Sequence, residues 1–245
     1  MKNKKIFIII GVVLVLVLGI GAFIFLNSNN VEKSVNEVKT LLEKDKYNEA
    51  YKMIKDKDLL SKADEETNKI IKTRITKYKV SNLDDYLKLT NDDWENIKSF
   101  SEMINNLDLS SKYTYLSKLI EINDKYQEYV PIITWQNSDD YDTFREYMKT
   151  ETQDDFEKSG NLMKTYSFEK YGLENTHIKE LNDEVKKYID YCDKMAQAIK
   201  TSDVNLYDSI YDGFQANVKK LYEIEVDVVN KTSELEEAIK NLPTI

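Results

Sequence analysis

The side chains that most often carry chemistry in proteins are scarce in this chain of 245 residues, which contains one histidine, His177, and one cysteine, Cys192. A zinc site usually needs several clustered His or Cys ligands. One imidazole with the scattered carboxylates Glu174, Glu180 and Glu184 does not supply such a cluster. We therefore interpret His177 as a residue near the start of a helix, and Cys192 as a small buried hydrophobic side chain.

Sequence motifs for nucleotide binding and for hydrolysis are missing as well. The chain has no phosphate loop G-x-x-x-x-G-K-[S/T], no serine hydrolase elbow G-x-S-x-G and no zinc protease motif H-E-x-x-H. With 44 acidic residues in the chain, no pair of carboxylates stands out. We predict no catalytic, cofactor-binding or metal-binding residue, no cofactor and no enzymatic activity. A hydrolase that uses carboxylates alone ranks third among the possible functions.

The most acidic stretch covers residues 137–157, where eight acidic and two basic residues give a net charge of −6. A calcium loop needs oxygen ligands at its first, third and fifth positions and glycine at the sixth. Asp140 and Asp142 supply two ligands, but Phe144 and Arg145 occupy the fifth and sixth positions. We interpret the stretch as a solvated acidic face, and its binding of cations stays open.

One long apolar stretch, residues 6–26, contains no charged or polar side chain. As a helix it would be about 31 Å long, which matches the ~30 Å hydrocarbon core of a bilayer. Lys2, Lys4 and Lys5 precede the stretch, whereas the residues that follow it up to Asn30 are uncharged. An excess of lysine before the first span keeps the amino end in the cytoplasm. We predict a membrane span whose carboxyl-terminal side lies outside the cytoplasm.

A cleaved signal peptide also has a basic start and an apolar run, so it is the competing interpretation. Its apolar part is usually about 7–15 residues long and ends at small residues. Here Phe23 to Leu26 continue the run beyond Gly21, and no A-x-A site is present. We favour an uncleaved anchor, with cleavage near Gly21 as the alternative.

The composition beyond residue 26 excludes some classes of partner. Three of the 35 basic residues come earlier, so this part carries 32 basic and 44 acidic side chains, a net charge of −12. Such a chain repels phosphate at long range, and we predict no nucleic-acid partner. One cysteine allows no intrachain disulfide, so packing alone must hold an exported domain together. Only Arg74 and Arg145 are arginine, and the excess of Lys, Asn, Ile and Tyr is typical of an AT-rich bacterial genome. We predict a Gram-positive source.

Apolar residues recur at helical spacing over nearly all of the chain after residue 26. Only three glycines and two prolines occur there, too few for the turns of an all-β domain of this size. We predict the all-α class. Polar residues that can cap helices predict helix starts at Ser81, at Thr90, at Ser110 or Ser111, and at Ser138.

A helical hairpin is predicted near the start of this region. Residues 41–54, L-L-E-K-D-K-Y-N-E-A-Y-K-M-I, resemble the middle of a tetratricopeptide repeat, in which a tight turn precedes a tyrosine and a small residue, here Tyr47 and Ala50. No second copy follows at the 34-residue period of such repeats, so we interpret the segment as a single generic hairpin. A third helix is predicted from Ala63 to Val80.

Pro131 interrupts the helical pattern, because the residue before a proline is disfavoured in the α conformation. Residues 130–135, V-P-I-I-T-W, are therefore predicted to form an apolar connector without a helix. Trp135 in this connector is either a docking spot for a partner or, as we favour, a side chain tucked onto the core.

The most regular pattern lies at the carboxyl end. Apolar residues over 178–199 follow alternating steps of three and four, residues 201–203 supply a turn and a cap, and the spacing resumes over 207–242. Glu225 and Thr232 are imperfect members of the second run. Two such runs joined by a short turn predict a long antiparallel helical hairpin. Earlier helices must cover the overhang of its longer second helix.

Together these features predict a cytoplasmic tail (1–5), a transmembrane anchor (6–26), a membrane-proximal helical hairpin plus helix (27–80) and a helical bundle (81–245). The predicted membrane span and the lack of a recognisable catalytic, cofactor or metal site together predict a single-pass, non-enzymatic protein. We predict that it acts as an interaction or accessory subunit in the bacterial cell envelope and binds a protein partner there. The alternative is a cleaved, secreted or surface helical protein that binds a small ligand between its helices. The sequence identifies neither the partner, the pathway nor the oligomeric state.

Overall fold

The structure is a computed structural model that describes residues 30–149 and 153–245. Within these ranges all regular elements are helical and no strand occurs, which confirms the all-α class. Apart from one 3₁₀ turn, Glu169–Tyr171, the regular elements in these ranges are α-helices. In chain order these are α1 (residues 30–43), α2 (Tyr47–Asp56), α3 (Leu59–Lys62), α4 (Asp64–Thr76), α5 (Leu83–Leu87), α6 (Asn91–Asn106), α7 (Tyr115–Tyr126), α8 (Val130–Gln136), α9 (Asp139–Tyr147), α10 (Gln153–Met163), α11 (Thr176–Thr201) and α12 (Val204–Lys240).

The predicted cytoplasmic tail, residues 1–5, and the predicted anchor, residues 6–26, lie outside the described residues. None of the helices that the structure describes combines the length and the apolar character needed to cross a bilayer. The membrane span thus stays a prediction from the sequence.

The contacts divide the described chain into two compact units that interleave along the sequence. The first unit consists of residues 30–79, 89–120 and 243–245, and the second consists of residues 80–88, 121–149 and 153–242. In the first unit α2 packs against α6 and α3 packs against α4. In the second unit α11 packs against α10 and α12, and α12 also contacts α5 and α8.

The predicted helix starts agree with the structure to different degrees. Thr90 forms the predicted capping box at α6, since its Oγ1 accepts from the Asp93 amide at 3.1 Å while the Asp93 carboxylate accepts from the Thr90 amide at 3.0 Å. At α5 the cap is Asn82 rather than the predicted Ser81. A helix start at Ser110 or Ser111 is wrong: α7 begins at Tyr115.

The backbone conformation after α6 explains this last error. Asp108 has a φ of +58°, and the Leu109 amide donates to the Ile104 carbonyl at 3.0 Å, a bond that closes the carboxyl end of the helix. Ser110 and Ser111 follow immediately and belong to the turns that reverse the chain. Their hydroxyl side chains therefore come too early to cap the next helix.

The prediction that residues 130–135 form a non-helical connector is also wrong. They lie in α8, with Pro131 in its first turn. A proline there has no cost, because the first amides of a helix have no carbonyl acceptor within it. Trp135 is fully buried, so the prediction that it tucks onto the core is confirmed and a docking role for it is excluded.

The predicted hairpin at the carboxyl end is confirmed by α11 and α12, which are 26 and 37 residues long. Asn175 caps α11, and Asp203 caps α12 by accepting from the Leu206 amide at 2.9 Å. The two helices run antiparallel, because the partners of later residues lie earlier in α11: Asn217 donates to Glu184, and Lys220 pairs with Glu180. In the part of α12 beyond α11, Glu234 accepts from Tyr126 Oη of the earlier helix α7 at 3.3 Å, as predicted for this overhang.

Candidate interaction surface

The structure confirms the interpretation of the two residues that could have carried chemistry. His177 lies in the first turn of α11, where its ring stacks on Tyr129 with 4.1 Å between the ring centroids. Cys192 is fully buried on α11, and this burial raises the pKa of its thiol to about 11. A buried thiol with such a pKa stays protonated at neutral pH and does not act as a nucleophile.

One acidic side chain of the acidic stretch, Asp140, binds residues beyond the stretch in the same unit. Asp140 accepts a hydrogen bond from Tyr171 Oη at 2.9 Å and forms an ion pair with Lys170, and these contacts lower the pKa of its carboxyl group. Asp139 and Asp142, by contrast, are exposed to solvent. In the described ranges no group of three or more His, Cys, Asp or Glu side chains is placed to hold a metal ion.

Trp135 lies in a buried aromatic cluster of the second unit. Its ring meets Tyr141 and Phe144 edge-on, with 5.1 and 5.2 Å between centroids, and its Nε1 donates to Tyr166 Oη at 2.8 Å. Edge-to-face aromatic pairs of this kind add stability beyond the area they bury. The cluster therefore anchors α8 and α9 and offers no accessible ring to a partner.

A polar cluster in the first unit surrounds the buried side chain of Arg74. Tyr47 Oη donates to Asp45 Oδ1 at 2.6 Å, and Arg74 forms an ion pair with the same carboxylate. Arg74 Nη2 also lies 3.1 Å from Tyr47 Oη and 3.2 Å from Tyr78 Oη. Burial and the bond to Asp45 raise the pKa of Tyr47 far above the physiological range.

The Asp45 carboxyl completes this network. Burial alone would raise its pKa, but the hydrogen bond from Tyr47 and the charge of Arg74 outweigh burial and lower it. At neutral pH the aspartate is thus ionised and the tyrosines are neutral, so no group is poised for proton transfer. The cluster fixes Asp45, whose φ is +59°, in the turn before α2. Its role is structural.

The other arginine, Arg145, pairs with a buried carboxylate. Arg145 Nη1 lies 2.6 Å from Glu225 Oε2, and the Glu225 side chain is 8% exposed while that of Arg145 is 53% exposed. Burial raises the pKa of Glu225, and Arg145 opposes the rise. This pair explains the imperfect apolar register at Glu225. A sequence signal existed, because the chain uses arginine at only two positions and both arginines bind carboxylates that burial perturbs.

A cavity of about 440 Å³ lies in the first unit. Lys69, Lys72 and Lys112 are exposed around it. Two of its polar side chains already have partners, since Tyr113 Oη donates to Asn68 Oδ1 at 2.8 Å. The carboxylate of Glu65 lines the cavity as well, and none of its described polar side chains is buried without a hydrogen-bond partner.

The exposed large apolar side chains concentrate on one helix. Of the six with the highest exposure among the described residues, five lie on α12, including Val204 at 68%, Tyr222 at 61% and Val229 at 50%. At about 100° per residue, they occupy one sector of roughly 80° together with the half-buried Val218. This surface, which we name the α12 apolar face, comprises Val204, Tyr211, Val218, Tyr222, Val226 and Val229.

A neighbouring face of the same helix, about 100° away around its axis, forms the core of the hairpin. Phe214, Leu221, Val228 and Leu235 recur at steps of seven and are all buried. α12 thus has two apolar faces, of which only one has an intramolecular partner within the described chain. Contiguous exposed apolar surface on a folded protein marks an interaction site.

Compared with protein-family models, with curated proteins and with solved structures, the chain has no match.

Proposed function

We propose that this protein is a membrane-anchored, extracytoplasmic helical protein of a Gram-positive cell envelope. It acts without catalysis, as an interaction or accessory subunit that binds another polypeptide through the α12 apolar face. The observation that carries this proposal is the concentration of exposed apolar side chains on one face of α12. Water contact with these side chains is unfavourable by about 25 cal/mol per Å² of apolar area, and a partner would relieve it.

The sequence supports the location. Residues 6–26 are long enough to span a bilayer, and the lysines before them favour an amino end in the cytoplasm. The linker between the span and α1, residues 27–29, reaches at most about 11 Å. The helical body would stay close to the membrane surface, where subunits of envelope assemblies meet.

The titratable groups support a non-enzymatic role. The groups with the largest pKa perturbations, such as Tyr47 and Cys192, are buried within closed contacts and do not line the cavity. Catalytic groups need a perturbed pKa together with access to a substrate. Tyr113 does line the cavity and burial raises its pKa, but its hydroxyl already donates to Asn68.

Topology and binding test the proposal in separate steps. In intact cells without a wall, protease should remove a tag at the carboxyl end, and the mature protein should keep the mass of the uncleaved chain. A protected tag would contradict the extracytoplasmic location, and a loss of about 20 residues would favour the cleaved form.

Binding is tested with a triple variant of the α12 apolar face, Y222S/V226S/V229S. It should lose any co-purifying envelope partner while it keeps the helical circular dichroism of the parent. A matched control changes three exposed polar positions on α11, K186S/D190S/K194S, and should keep the partner. Retention of all partners by the first variant would contradict the assigned surface.

The alternative function, a secreted or surface protein that binds a small ligand between its helices, has one observation in its favour. Lys69, Lys72 and Lys112 surround the cavity of the first unit, so the ligand would be a small anion. Native mass spectrometry of the purified protein should then show a retained anion that the variant K69S/K72S/K112S loses. A protein without any retained ligand would count against this alternative.

A further inference from the structure

We propose that the occupant of the α12 apolar face is a second copy of this chain. The two α12 helices would pack antiparallel about a two-fold axis that passes between Val218 and Tyr222. This inference rests on the proposed function, because it uses the same face and names the partner.

The spacing of the face is symmetric under reversal. Tyr211, Val218, Tyr222 and Val229 are separated by seven, four and seven residues. In an antiparallel pair related by a two-fold axis, Tyr211 lies against Val229 of the second copy and Val218 lies against Tyr222 of the second copy. Each large ring then meets a small branched side chain, which fills the space between two helices evenly. A parallel pair would set ring against ring and leave the valines apart.

The charges beside the face are self-complementary in the same arrangement. Lys219 and Glu223 flank it on one side, with 76% and 55% of their side chains exposed, and only a 3.6 Å ion pair within α12 joins them. The two-fold axis brings the same flanks of both helices together. At 1.5 Å rise per residue, Lys219 then lies about 3 Å along the axis from Glu223 of the second copy and equally far from Lys219 of the second copy. The two reciprocal Lys–Glu pairs outnumber the one Lys–Lys contact, so the charges favour this register.

The size of the contact predicts a weak dimer in solution. The four apolar layers span 18 residues, or about 27 Å of helix. A single pair of helices over this length buries less than the ~1,000 Å² that a stable interface needs. Anchoring through residues 6–26 would raise the effective concentration of the chain and favour the pair.

The dependence of association on salt distinguishes a second copy of the chain from a partner of opposite charge. Two bodies that each carry a net charge of −12 repel one another, and salt screens this repulsion. Self-association should therefore strengthen between low and moderate ionic strength. A complex with a basic partner should weaken over the same range, since the same screening reduces an attraction.

Photo-cross-linking of the full-length chain in its cells tests the inference. A benzophenone amino acid in place of Tyr222 should give a product of twice the mass of the chain. Lys219 and Lys220 let trypsin cut between Val218 and Tyr222. The expected adduct joins peptide 221–231, which carries the probe, to peptide 201–219. The same probe at the exposed Lys186 of α11 is the control.

The possible products decide between the two proposals. An adduct between two copies of peptide 221–231 would indicate a parallel pair and overturn the inference. An adduct with a different protein would also overturn it but would support the proposed function. A yield no higher than with the probe at Lys186 would overturn both.

Charge variants give a second, independent readout. K219E and E223K should each lower the yield of the doubled product several-fold, because each sets like charges side by side in the dimer. The double variant K219E/E223K should restore the yield, since the reciprocal pairs re-form with reversed sign. If the double variant does not restore the yield although all three variants keep their helical content, the proposed register is wrong.

Discussion

The two apolar faces of α12 differ in what covers them, although both follow helical spacing. Leu221 on the inner face is buried in the seam with α11, whereas Tyr222, the next residue, is 61% exposed. The inner face uses Phe and Leu beside Val, and the outer face uses Tyr and Val. Tyrosine tolerates both water and apolar contact, which is why it is enriched at surfaces that bind intermittently.

This difference separates the part of α12 that holds the second unit together from the part available for binding. A side chain needed for stability gains its energy from contacts within the same chain. An exposed apolar side chain gains little energy from contacts within its own chain. We therefore expect it to gain energy from contacts with a partner. Substitutions on the inner face should therefore lower stability, whereas substitutions on the outer face should weaken binding and leave stability nearly unchanged.

Leu221→Ala should have the largest effect on stability. The leucine is 1% exposed, and truncation of such a side chain costs about 2–5 kcal/mol because a cavity remains. Urea unfolding of the purified full-length chain, followed by circular dichroism, measures the loss. A change below about 1 kcal/mol would contradict the assignment of Leu221 to the core.

Cys192 provides an internal check of this prediction. It is the single thiol of the chain and is fully buried on α11, so a maleimide reagent reaches it only when the second unit opens. Leu221→Ala should raise the labelling rate about ten-fold for each ~1.4 kcal/mol of free energy of unfolding that is lost. Unchanged labelling together with reduced stability would place the unfolding in the first unit.

The spacing of apolar residues predicted many of the helices, because the formation of a helix depends mostly on local sequence. The apolar run over residues 178–199 predicted α11, and the run over residues 207–242 predicted most of α12. Errors arose where one residue type has two local uses. Pro131 can end a helix or occupy its first turn, and here it lies in the first turn of α8, whose Trp135 is buried.

Pairing between distant elements could not be predicted in the same way. Nothing in the periodicity indicates that residues 89–120 group with residues 30–79. The partner of Glu225 is Arg145, 80 residues away in the sequence, and only the fold brings them together. The exposure of Tyr222 likewise depends on which side of α12 meets α11. The sequence predicted an interaction protein, but not its surface.

Arg145→Met should have the next largest effect, because Glu225 lies at the border between the two faces of α12. Removal of the arginine leaves a buried carboxylate without its cation, and we expect a loss of about 2 kcal/mol near pH 8. The loss should shrink as the pH falls, since Glu225 can then take up a proton. Urea unfolding at several pH values measures it, and a loss independent of pH would contradict the pairing.

Glu225→Gln should have a smaller effect of the opposite sign. The folded pKa of Glu225 lies above its unfolded value because of burial, so its contribution to stability is greatest below the unfolded pKa and is lost as the pH rises through the folded pKa. Glutamine resembles the protonated form at every pH. The variant should be more stable than the parent by about 1 kcal/mol at pH 7, and equal to it near pH 4.

The measurement is the difference between the unfolding free energies of parent and variant as a function of pH. Other carboxyl groups titrate in both proteins and cancel in this difference. A variant that is less stable than the parent at pH 7 would show that the bond to Arg145 outweighs the cost of burying the charge.

Tyr222→Ser should have the smallest effect on stability and the largest effect on binding. The ring is mostly exposed, so its loss should change the free energy of unfolding by less than about 0.5 kcal/mol. The same change removes the largest side chain at the centre of the α12 apolar face, where contact residues dominate binding energy. Co-purification should therefore fall at least ten-fold at unchanged stability. Tyr51→Ser, at a half-buried tyrosine of α2 in the other unit, is the matched control and should leave binding intact.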